Sequence, residues 1–592
     1  MSRLRIHGGR VIDPVHTTDA VMDIDIVDGH IVAVEPNAPC ERVIDASGCL
    51  VMAGGIDLHS HIGGGKMNLA RLLLPEDHRR GVEPALRDNN PLLDPSCGTC
   101  TPGTLATGYA YAQMGYTAAF EPAMVASNAR QAHMEMGDTP VLDHGAYVML
   151  GNDEIFLSLL ADTSEPERVR AEKIRDYVGW VIHATKAMGV KVVNPGGISA
   201  FKFNQRTLDV DEQHRHWNVT PRQILSSLSQ ALTELGLVHP LHIHASNLGV
   251  AGNIATTLAT MDALEGRRGH LTHIQFHSYG TEGPKKFSSA ALQLAEAVNA
   301  RPNISIDVGQ ILFGQTVTAS GDTMRQHANM ALANPRKSIG ADIECDAGCG
   351  VVPFKYREQS YVNALQWAIG LEIFLSINDP WRIVLTTDHP NGAPFTSYPH
   401  LMRLLMDRDF RNEQLAKLHP DVAAHCALRE MKRELTLEEI TIMTRSAPAR
   451  LLGLTERGNL GAGSAADIAI YRLQGSSGSG SLNADAEATF SRAEWLLKDG
   501  QIVVDKGELV TLPVGGTHYA TPSFDDNAAM QTVSNHTDRP FGLQLRNAVL
   551  GHDELCACCG GGRLLPAACF PQTGGVPTTL AGEATATGAA HG

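Results

Sequence analysis

The sequence of 592 residues predicts an α/β fold: a (β/α)8 barrel of the TIM type, joined to a small β-sandwich domain formed by the two ends of the chain. Three observations predict this fold. Short apolar segments alternate with amphipathic helical segments through the middle of the chain, which is the pattern of βα units around a parallel sheet. Both ends carry short runs of alternating apolar and polar residues. The length exceeds that of one ordinary domain, so a large core and an accessory unit are expected.

The alternating runs at the two ends are typical of small antiparallel strands, separated by glycine, aspartate and proline. The first end contains LRIHGGRVID, MDIDIVDGHIVAVEP and RVIDASGCLV, and the second contains ERGNLGAGSAADIAIYRL and EWLLKDGQIVVDKGELV. We therefore expect residues 1–52 and 456–515 to pair into one small β-domain, with a flexible GSSGSGS loop that begins at Gly475.

Eight short apolar segments between these ends predict the strands of a barrel formed by residues 53–455. They are VMAGGIDLH, YTAAFEP, GAYVMLGN, VKVVNPGG, LHIHASN, HLTHIQFHS, ISIDVGQ and RIVLTTDHP. Amphipathic helices are predicted before the fourth, fifth and seventh strands, in ERVRAEKIRDYVGWVIHATKAM, PRQILSSLSQALTELG and ALQLAEAVN. Eight parallel strands with helical crossovers close into a barrel, and its active site lies at the carboxyl ends of the strands.

The segment after the barrel begins with a predicted helix and ends in a compositionally biased tail. Thr436 and Glu439 predict a capping box at the start of that helix. Residues 516–592 predict an extension with a flexible tail rich in Gly, Ala, Pro and Thr, either disordered or docked on a partner. A cysteine cluster in this extension has no role that the sequence indicates: Cys556, Cys558 and Cys559.

Composition excludes several classes of function. Hydrophobic residues make up 43% of the chain and charged residues 19%, without a run of about 18 apolar residues, so no membrane span is expected. The first residues lack the pattern of a secretory signal, and we expect a cytoplasmic location. The formal net charge of −16 is spread along the chain, which argues against a nucleic-acid partner. No GxGxxG motif follows a strand, which argues against a nicotinamide or flavin cofactor.

The motif Asp57-x-His59-x-His61 ends the first predicted strand. Residues two apart on a strand point to the same side, so His59 and His61 can bind one metal ion while Asp57 steadies them from behind. Histidine is the commonest metal ligand in proteins. The alternative interpretation is a polar loop with two surface histidines.

Further candidate metal ligands follow on other strands. His244 lies in the fifth strand and His273 in the sixth, and each has neighbouring histidines that compete for the same role: His242, His270 and His277. The sequence leaves the choice among them open. Asp388 ends the eighth strand, where a carboxylate can both bind metal and move a proton. Alone, Asp388 could instead cap the segment that follows it.

Lys191 is an unusual residue because it interrupts an apolar strand. Burial disfavours the ammonium form of lysine, and the neutral amine can then be chemically modified. Lys202, in SAFKFN, is the competing candidate for this role. The alternative for Lys191 is a surface lysine whose stem covers apolar neighbours.

These motifs together resemble the amidohydrolase superfamily, through the DxHxH motif, the histidines of the fifth and sixth strands and Asp388. The segment SAPARLLGLTERGNLGAGSAADIAIY is similar to the return segment of hydantoinase-like members. More narrowly, GKMNLARLLLPEDHRR, VKVVNPGG, LHIHASNLGVAGN, LTHIQFHSYG and LTTDHPNGAPF resemble the A subunits of formylmethanofuran dehydrogenase and of the bacterial formyltransferase/hydrolase complex. The resemblance covers residues 1 to about 550.

The resemblance implies a site with two divalent metal ions, expected to be zinc. By this resemblance His59 and His61 hold one ion, His244 and His273 hold the other, and a carboxylated Lys191 bridges both. Asp388 is then both a ligand and the residue that moves a proton.

The resemblance also implies a reaction and a set of partners. The expected activity is hydrolysis of a formylated methanofuran-type amine to formate and the free amine, or the reverse condensation, in formaldehyde oxidation. The expected partners are the other subunits of such a complex, including a formyltransferase. Two alternatives stay open: a cyclic-amide hydrolase such as a hydantoinase or dihydropyrimidinase, and a scaffold protein without catalytic activity.

Overall fold

The central sheet of the computed structural model contains eight parallel strands that follow one another in chain order. Each strand is hydrogen-bonded to the next. Helices are interleaved with the strands, which confirms the predicted α/β barrel class. The strands are Gly55–Asp57, Tyr116–Met124, Asp143–Met149, Gly189–Val193, Leu241–His244, Gly269–Leu271, Ile304–Asp307 and Ile383–Val384. We number them as barrel strands one to eight. All eight fall within the segments predicted from the sequence or extend a few residues beyond them.

The structure describes residues 3–78, 98–202, 205, 208–341, 349–473, 482–537, 545–558 and 562–570. The predicted loop that begins at Gly475 and the tail from residue 571 lie outside this part of the chain, and so does Cys559.

The sheet closes just beyond its first and last strands. Ser60 and His389 form a parallel bridge, and the amide of His61 donates a hydrogen bond of 2.9 Å to the carbonyl oxygen of His389. The carboxyl ends of barrel strands one and eight are therefore neighbours.

Helices cover the outside of the sheet and pack against it in one large apolar cluster, and a smaller cluster contains other strand residues, among them Phe120 and Tyr147. The three helices predicted before strands four, five and seven are confirmed as Glu167–Thr185, Pro221–Glu234 and Ala291–Asn299. The other helices are Gly65–Leu73, Thr104–Gln113, Ala129–Gly137, Glu154–Ala161, Gly197–Lys202, Ile254–Asp262, Thr323–Asn329, Tyr361–Ser376, Tyr398–Met406, Arg408–Ala416, Leu437–Thr441, Ala447–Leu452, Leu482–Ser491, Asp526–Thr537, Leu545–Ala548 and His552–Cys558. The predicted capping box is present, because Thr436 and Glu439 bond to each other's backbone amides.

The two ends of the chain form a separate nine-stranded sheet with its own apolar cluster. Its strands are Arg3–Asp13, Thr18–Val27, His30–Val32, Arg42–Asp45, Cys49–Ala53, Ile468–Arg472, Trp495–Lys498, Gln501–Asp505 and Glu508–Leu509. The strands Cys49–Ala53 and Ile468–Arg472 pair antiparallel, which joins the two ends as predicted. The exact boundaries predicted for the domains, 1–52 with 456–515, 53–455 and 516–592, stay predictions.

The extension after residue 515 adds two strands that were not predicted. Thr517–Thr521 pairs with barrel strand three at His144, and Leu564–Ala568 pairs with Thr517–Thr521. Both pairings are parallel and join segments far apart in the chain, so a short local pattern could not reveal them.

The described residues also form two smaller antiparallel sheets. Tyr279–Gly280 pairs with Ser288–Ser289, and a three-stranded sheet of Gly314–Ser320, Ile339–Ala341 and Cys349–Tyr356 is inserted between barrel strands seven and eight. Within the described ranges, no helix is both long enough and apolar enough to span a bilayer. The cytoplasmic location stays a prediction.

A buried ionic cluster connects the terminal sheet to the barrel. The Lys498 Nζ atom, on a strand of the terminal sheet, lies 2.8 Å from Asp143 Oδ2 and 2.9 Å from Asp467 Oδ2. Asp143 begins barrel strand three, and the side chains of all three residues are at most 4% exposed. The guanidinium of Arg457 contacts both carboxylates as well.

Lys498→Met is expected to lower the free energy of unfolding by about 3–5 kcal/mol, because buried carboxylates then lose a counter-ion. Urea denaturation of the full chain measures this loss. Arg168→Ala is the control, since Arg168 is 90% exposed in its pair with Glu172 and such pairs contribute little. A loss for Lys498→Met no larger than that of the control would contradict the prediction.

Candidate metal centre

Closure of the barrel brings together the motif of strand one and the aspartate after strand eight. His59 Nε2 lies 2.9 Å from Asp388 Oδ1, and His61 Nε2 lies 3.5 Å from the same oxygen. All three side chains are buried, and their ligand atoms lie within 4.8 Å of one another. Two imidazoles and a carboxylate at this spacing are a suitable donor set for a divalent metal ion.

His244 and His273 lie beside this group. Their rings are 4.5 Å apart between centroids, and the His273 ring is 5.7 Å from that of His59. His244 Nε2 and His273 Nδ1 are buried atoms without a hydrogen-bond partner among the described residues. Unpartnered imidazole nitrogens in a buried site are costly unless a ligand or metal satisfies them.

The competing histidines occupy different depths in the barrel. His242 and His270 lie earlier on their strands, and their rings already have partners, because His242 contacts His59 and His270 contacts Asp307. The ring of His277 lies instead 5.4 Å from that of His244. The structure thus brings His244, His273 and His277 together at the carboxyl ends of the strands, and places His242 and His270 below them.

Lys191 lies on barrel strand four, between Met149 on strand three and His242 on strand five. It is only 3% exposed, and burial lowers the pKa of its ammonium to about 8, although the nearby Asp388 carboxylate raises it. The side chain of Lys202, the competing candidate, lies outside the described part of the chain.

His244 and His273 are held in their neutral form. Burial lowers the pKa of His273 to about 3, and it lowers that of His244 well below the usual value. The Lys191 charge contributes to the lowering at both rings, whereas the Asp388 carboxylate opposes it. Neutral imidazole is the form that binds metal, so no proton has to be displaced at these two rings.

Two carboxylates hold the strand-one motif in place. Asp57 Oδ1 accepts a hydrogen bond of 3.0 Å from the amide of His59, so Asp57 steadies the backbone of the motif and not its rings. Its other oxygen accepts from the hydroxyls of Tyr111 and Tyr398. Glu121 Oε1 lies 2.8 Å from His61 Nδ1, which orients that ring.

Glu121 and Asp307 were not predicted from the sequence, although signals for both exist. Asp307 ends barrel strand seven just as Asp388 follows strand eight, and the strand-end rule applies equally to it. Glu121 is a lone carboxylate inside a fully buried strand, the same kind of anomaly as Lys191. Both side chains are fully or almost fully buried.

Comparison with known proteins identifies a matching family and two similar proteins that align over most of their length. A model of the amidohydrolase family matches residues 42–504. The A subunit of the formyltransferase/hydrolase complex Fhc from Methylorubrum extorquens is 44% identical over 546 residues, which are 91% of this chain and 95% of that protein. Protein FwdA of Methanocaldococcus jannaschii is 37% identical over 562 residues, which are 92% and 95% of the two chains.

A solved structure is similar over nearly the whole length. It is the crystal structure of the formyltransferase/hydrolase complex FhcABCD from Methylorubrum extorquens in complex with methylofuran. The matching chain superposes with a TM-score of 0.87 at 41% sequence identity, covering 95% of this chain and 100% of that one.

Glu121→Ala is expected to lower the free energy of unfolding of the metal-free protein by about 4 kcal/mol or more, because four buried donors lose their acceptor and each one left unsatisfied costs about 1–3 kcal/mol. The affected donors are the His61 ring and the backbone amides of Ile62, Gly63 and Ala123. Urea denaturation gives the loss, and hydrogen exchange at Ile62 and Gly63 should quicken. Glu121→Gln keeps an acceptor oxygen and should lose less; equal losses in both variants would show that hydrogen bonding is not the cause.

Proposed function

Because the chain belongs to the amidohydrolase family, we propose that it hydrolyses an N-formyl amine of the methanofuran or methylofuran type to formate and the free primary amine, or catalyses the reverse condensation. The observation that carries this proposal is the 44% identity, over 91% of the chain, with the A subunit of a formyltransferase/hydrolase complex. The convergent, buried histidines and carboxylates at the barrel end provide a site for such chemistry.

In this proposal His59 and His61 would hold one divalent ion, His244 and His273 would hold a second, and a carboxylated Lys191 would supply oxygen ligands. Asp388 contributes a carboxylate oxygen. The proposed metal is zinc, which accepts imidazole and carboxylate ligands readily. When bound, two divalent ions lower the pKa of a water molecule towards about 7 and polarise the formyl oxygen.

Asp388 is the residue proposed to move the proton. Burial alone raises the pKa of its carboxyl, but the contacts with His59 and His61 more than offset this and hold the pKa well below the usual range. Asp388 is therefore a carboxylate at neutral pH and can accept a proton from the attacking water. It then returns the proton to the amide nitrogen, because an amine anion would be a prohibitive leaving group.

The inserted antiparallel sheet is bonded to the loop that follows barrel strand eight. The amide of Ala319 donates 2.6 Å to Asn391 Oδ1, and the Tyr356 hydroxyl donates 3.1 Å to the Asn391 carbonyl oxygen. Asn391 in turn donates from Nδ2 to Asp388 Oδ1 at 3.0 Å. The insertion is thus tied to the loop that carries the proton-transfer residue, and Asp388 is 5% exposed.

We also propose that the chain works within a larger assembly that includes a formyltransferase. This proposal rests on the similarity to a chain of the FhcABCD complex, which covers 95% of the present chain. The formyl group would then reach this site from a partner protein of the assembly, and the hydrolysis would release it as formate.

Asp388→Asn is expected to keep its bound metal and to reduce formate release from formylated methylofuran by about 10²–10⁴-fold, the usual contribution of a general acid–base residue. His59→Ala is the comparison and should lose both metal and formate release. Elemental analysis and a formate assay measure these quantities, with dihydrouracil turnover assayed in parallel. A fully active Asp388→Asn would overturn the proton-transfer role, and dihydrouracil turnover without formate release would favour the cyclic-amide alternative.

The Lys191 amine is expected to form a carbamate with carbon dioxide. With a pKa of about 8, the neutral amine that reacts is scarce below that pH and predominates above it. At constant dissolved ¹³C-labelled carbon dioxide, a carbamate resonance in the ¹³C NMR spectrum of the metal-free protein should therefore grow between about pH 7 and 9. Lys191→Met should abolish it, whereas Lys186→Met, at another buried lysine, should not. A resonance that survives Lys191→Met would contradict the assignment.

A further inference from the structure

Three buried imidazoles form a line that leads from the interior of the barrel to the candidate metal centre. His239 Nε2 lies 3.1 Å from His242 Nδ1, and His242 Nε2 lies 2.9 Å from His59 Nδ1. Each of the three residues is at most 1% exposed. Each of these contacts needs one hydrogen atom, and each neutral ring carries only one.

The inner end of the line fixes the direction of these hydrogen bonds. His239 Nδ1 lies 3.2 Å from the carbonyl oxygen of Leu451, which is in the last turn of the helix Ala447–Leu452. Such a carbonyl has no amide partner within its own helix, and it can only accept. His239 must therefore carry its hydrogen on Nδ1 and accept on Nε2.

The hydrogen position on His239 determines those on His242 and His59. His242 donates from Nδ1 to His239, so its Nε2 is the acceptor that faces His59. His59 consequently donates from Nδ1. This leaves Nε2, which lies 2.9 Å from Asp388 Oδ1, as the nitrogen whose lone pair a metal ion would take.

The neighbours of His59, at the outer end of the line, also favour donation from His59 Nδ1. Asp307 Oδ2 lies 3.3 Å from His59 Nδ1 and 3.1 Å from His270 Nε2. A carboxylate only accepts, so a lone pair on His59 Nδ1 would face it unfavourably. The hydroxyl of Thr272 also contacts this nitrogen and is able to accept from it. Both neighbours therefore favour a hydrogen on His59 Nδ1.

We infer that His239 and His242 are positioning residues whose directed hydrogen bonds fix the tautomer of His59 and reserve its Nε2 lone pair for a metal ion. This inference rests on the proposed metal centre. The ring of Tyr147 stacks on His239 at 4.6 Å and packs against His242 at 4.8 Å, while its hydroxyl donates to the Leu58 carbonyl oxygen. The orientation of the imidazoles is thus fixed by packing as well as by hydrogen bonds.

Two substitutions at His242 separate positioning from simple core packing. His242→Phe keeps a planar ring but removes the acceptor that faces His59, whereas the terminal amide of His242→Gln can return an acceptor oxygen near Nε2. In competition with a chelator, the zinc-loaded full chain should bind metal about 10–100-fold more weakly in the Phe variant, as is usual when the partner of a ligand histidine is lost. The Gln variant should stay within about threefold of the unaltered protein.

The control is His133→Phe. His133 is also fully buried and bonds through Nε2 to the Thr185 carbonyl oxygen, without a contact to the three-histidine line. Its substitution should change the free energy of unfolding without changing metal affinity. Proton NMR of the cobalt(II)-loaded protein adds a spectroscopic test, because the shifted Nδ1 hydrogen of His59 should exchange with D₂O faster in His242→Phe than in the unaltered protein.

The outcomes are distinguishable. Equal metal affinities of the Phe and Gln variants, whether both weak or both unaltered, would overturn the positioning role while the metal centre stands. Failure of the unaltered chain to bind metal would overturn the proposed centre itself. If His242→Phe does not fold, His239→Phe can replace it, because it interrupts the line one ring further inside. The inference would be overturned if this variant had the same metal affinity and the same hydrogen exchange rate as the unaltered protein.

Discussion

The hydrogen bond from the His61 amide to the His389 carbonyl oxygen, with the adjoining Ser60–His389 bridge, is the contact on which the candidate site depends. It joins the two margins of the parallel sheet at their carboxyl ends. His59 and Asp388 are 329 residues apart in the chain, and only this closure makes them neighbours. One such hydrogen bond stabilises a protein by about 1 kcal/mol. Its importance therefore lies in geometry, because the register of eight paired strands determines which residues reach the mouth of the barrel.

Much of this arrangement could be predicted from local sequence patterns. Each barrel strand is a short apolar run, and a polar residue at its end has few reasons to be there except function. That rule located His59, His61, His244 and Asp388, and the structure brings all four to the same end of the barrel. Lys191 could be recognised because a lysine within an apolar strand is expensive to bury.

The depth of a residue in the barrel could not be predicted in the same way. His242 and His244 share one side of their strand, so a periodicity of two residues does not distinguish them. The distinction arises from the paired strands: His242 lies opposite Lys191 in register and meets the ring of His59, while His244 lies one step further out. The strand Thr517–Thr521 escaped prediction for a related reason. Its partner, barrel strand three, lies more than 370 residues earlier in the chain, as the contact between His144 and Thr517 shows.

The charges buried at this end of the barrel support the proposed combination of a modified lysine with metal ions. Asp388 and Asp307 are buried carboxylates whose pKa values are held well below the usual range, and Glu121 is a third buried carboxylate with a lowered pKa. Lys191 supplies one positive charge beside these three carboxylates, and its pKa of about 8 means that it loses this charge just above neutral pH. Carboxylation of Lys191, as proposed, would remove even that positive charge and add a negative one. An excess of buried negative charge is costly without cations. Divalent ions would offset this cost, and the carbamate and the metals would therefore stabilise each other.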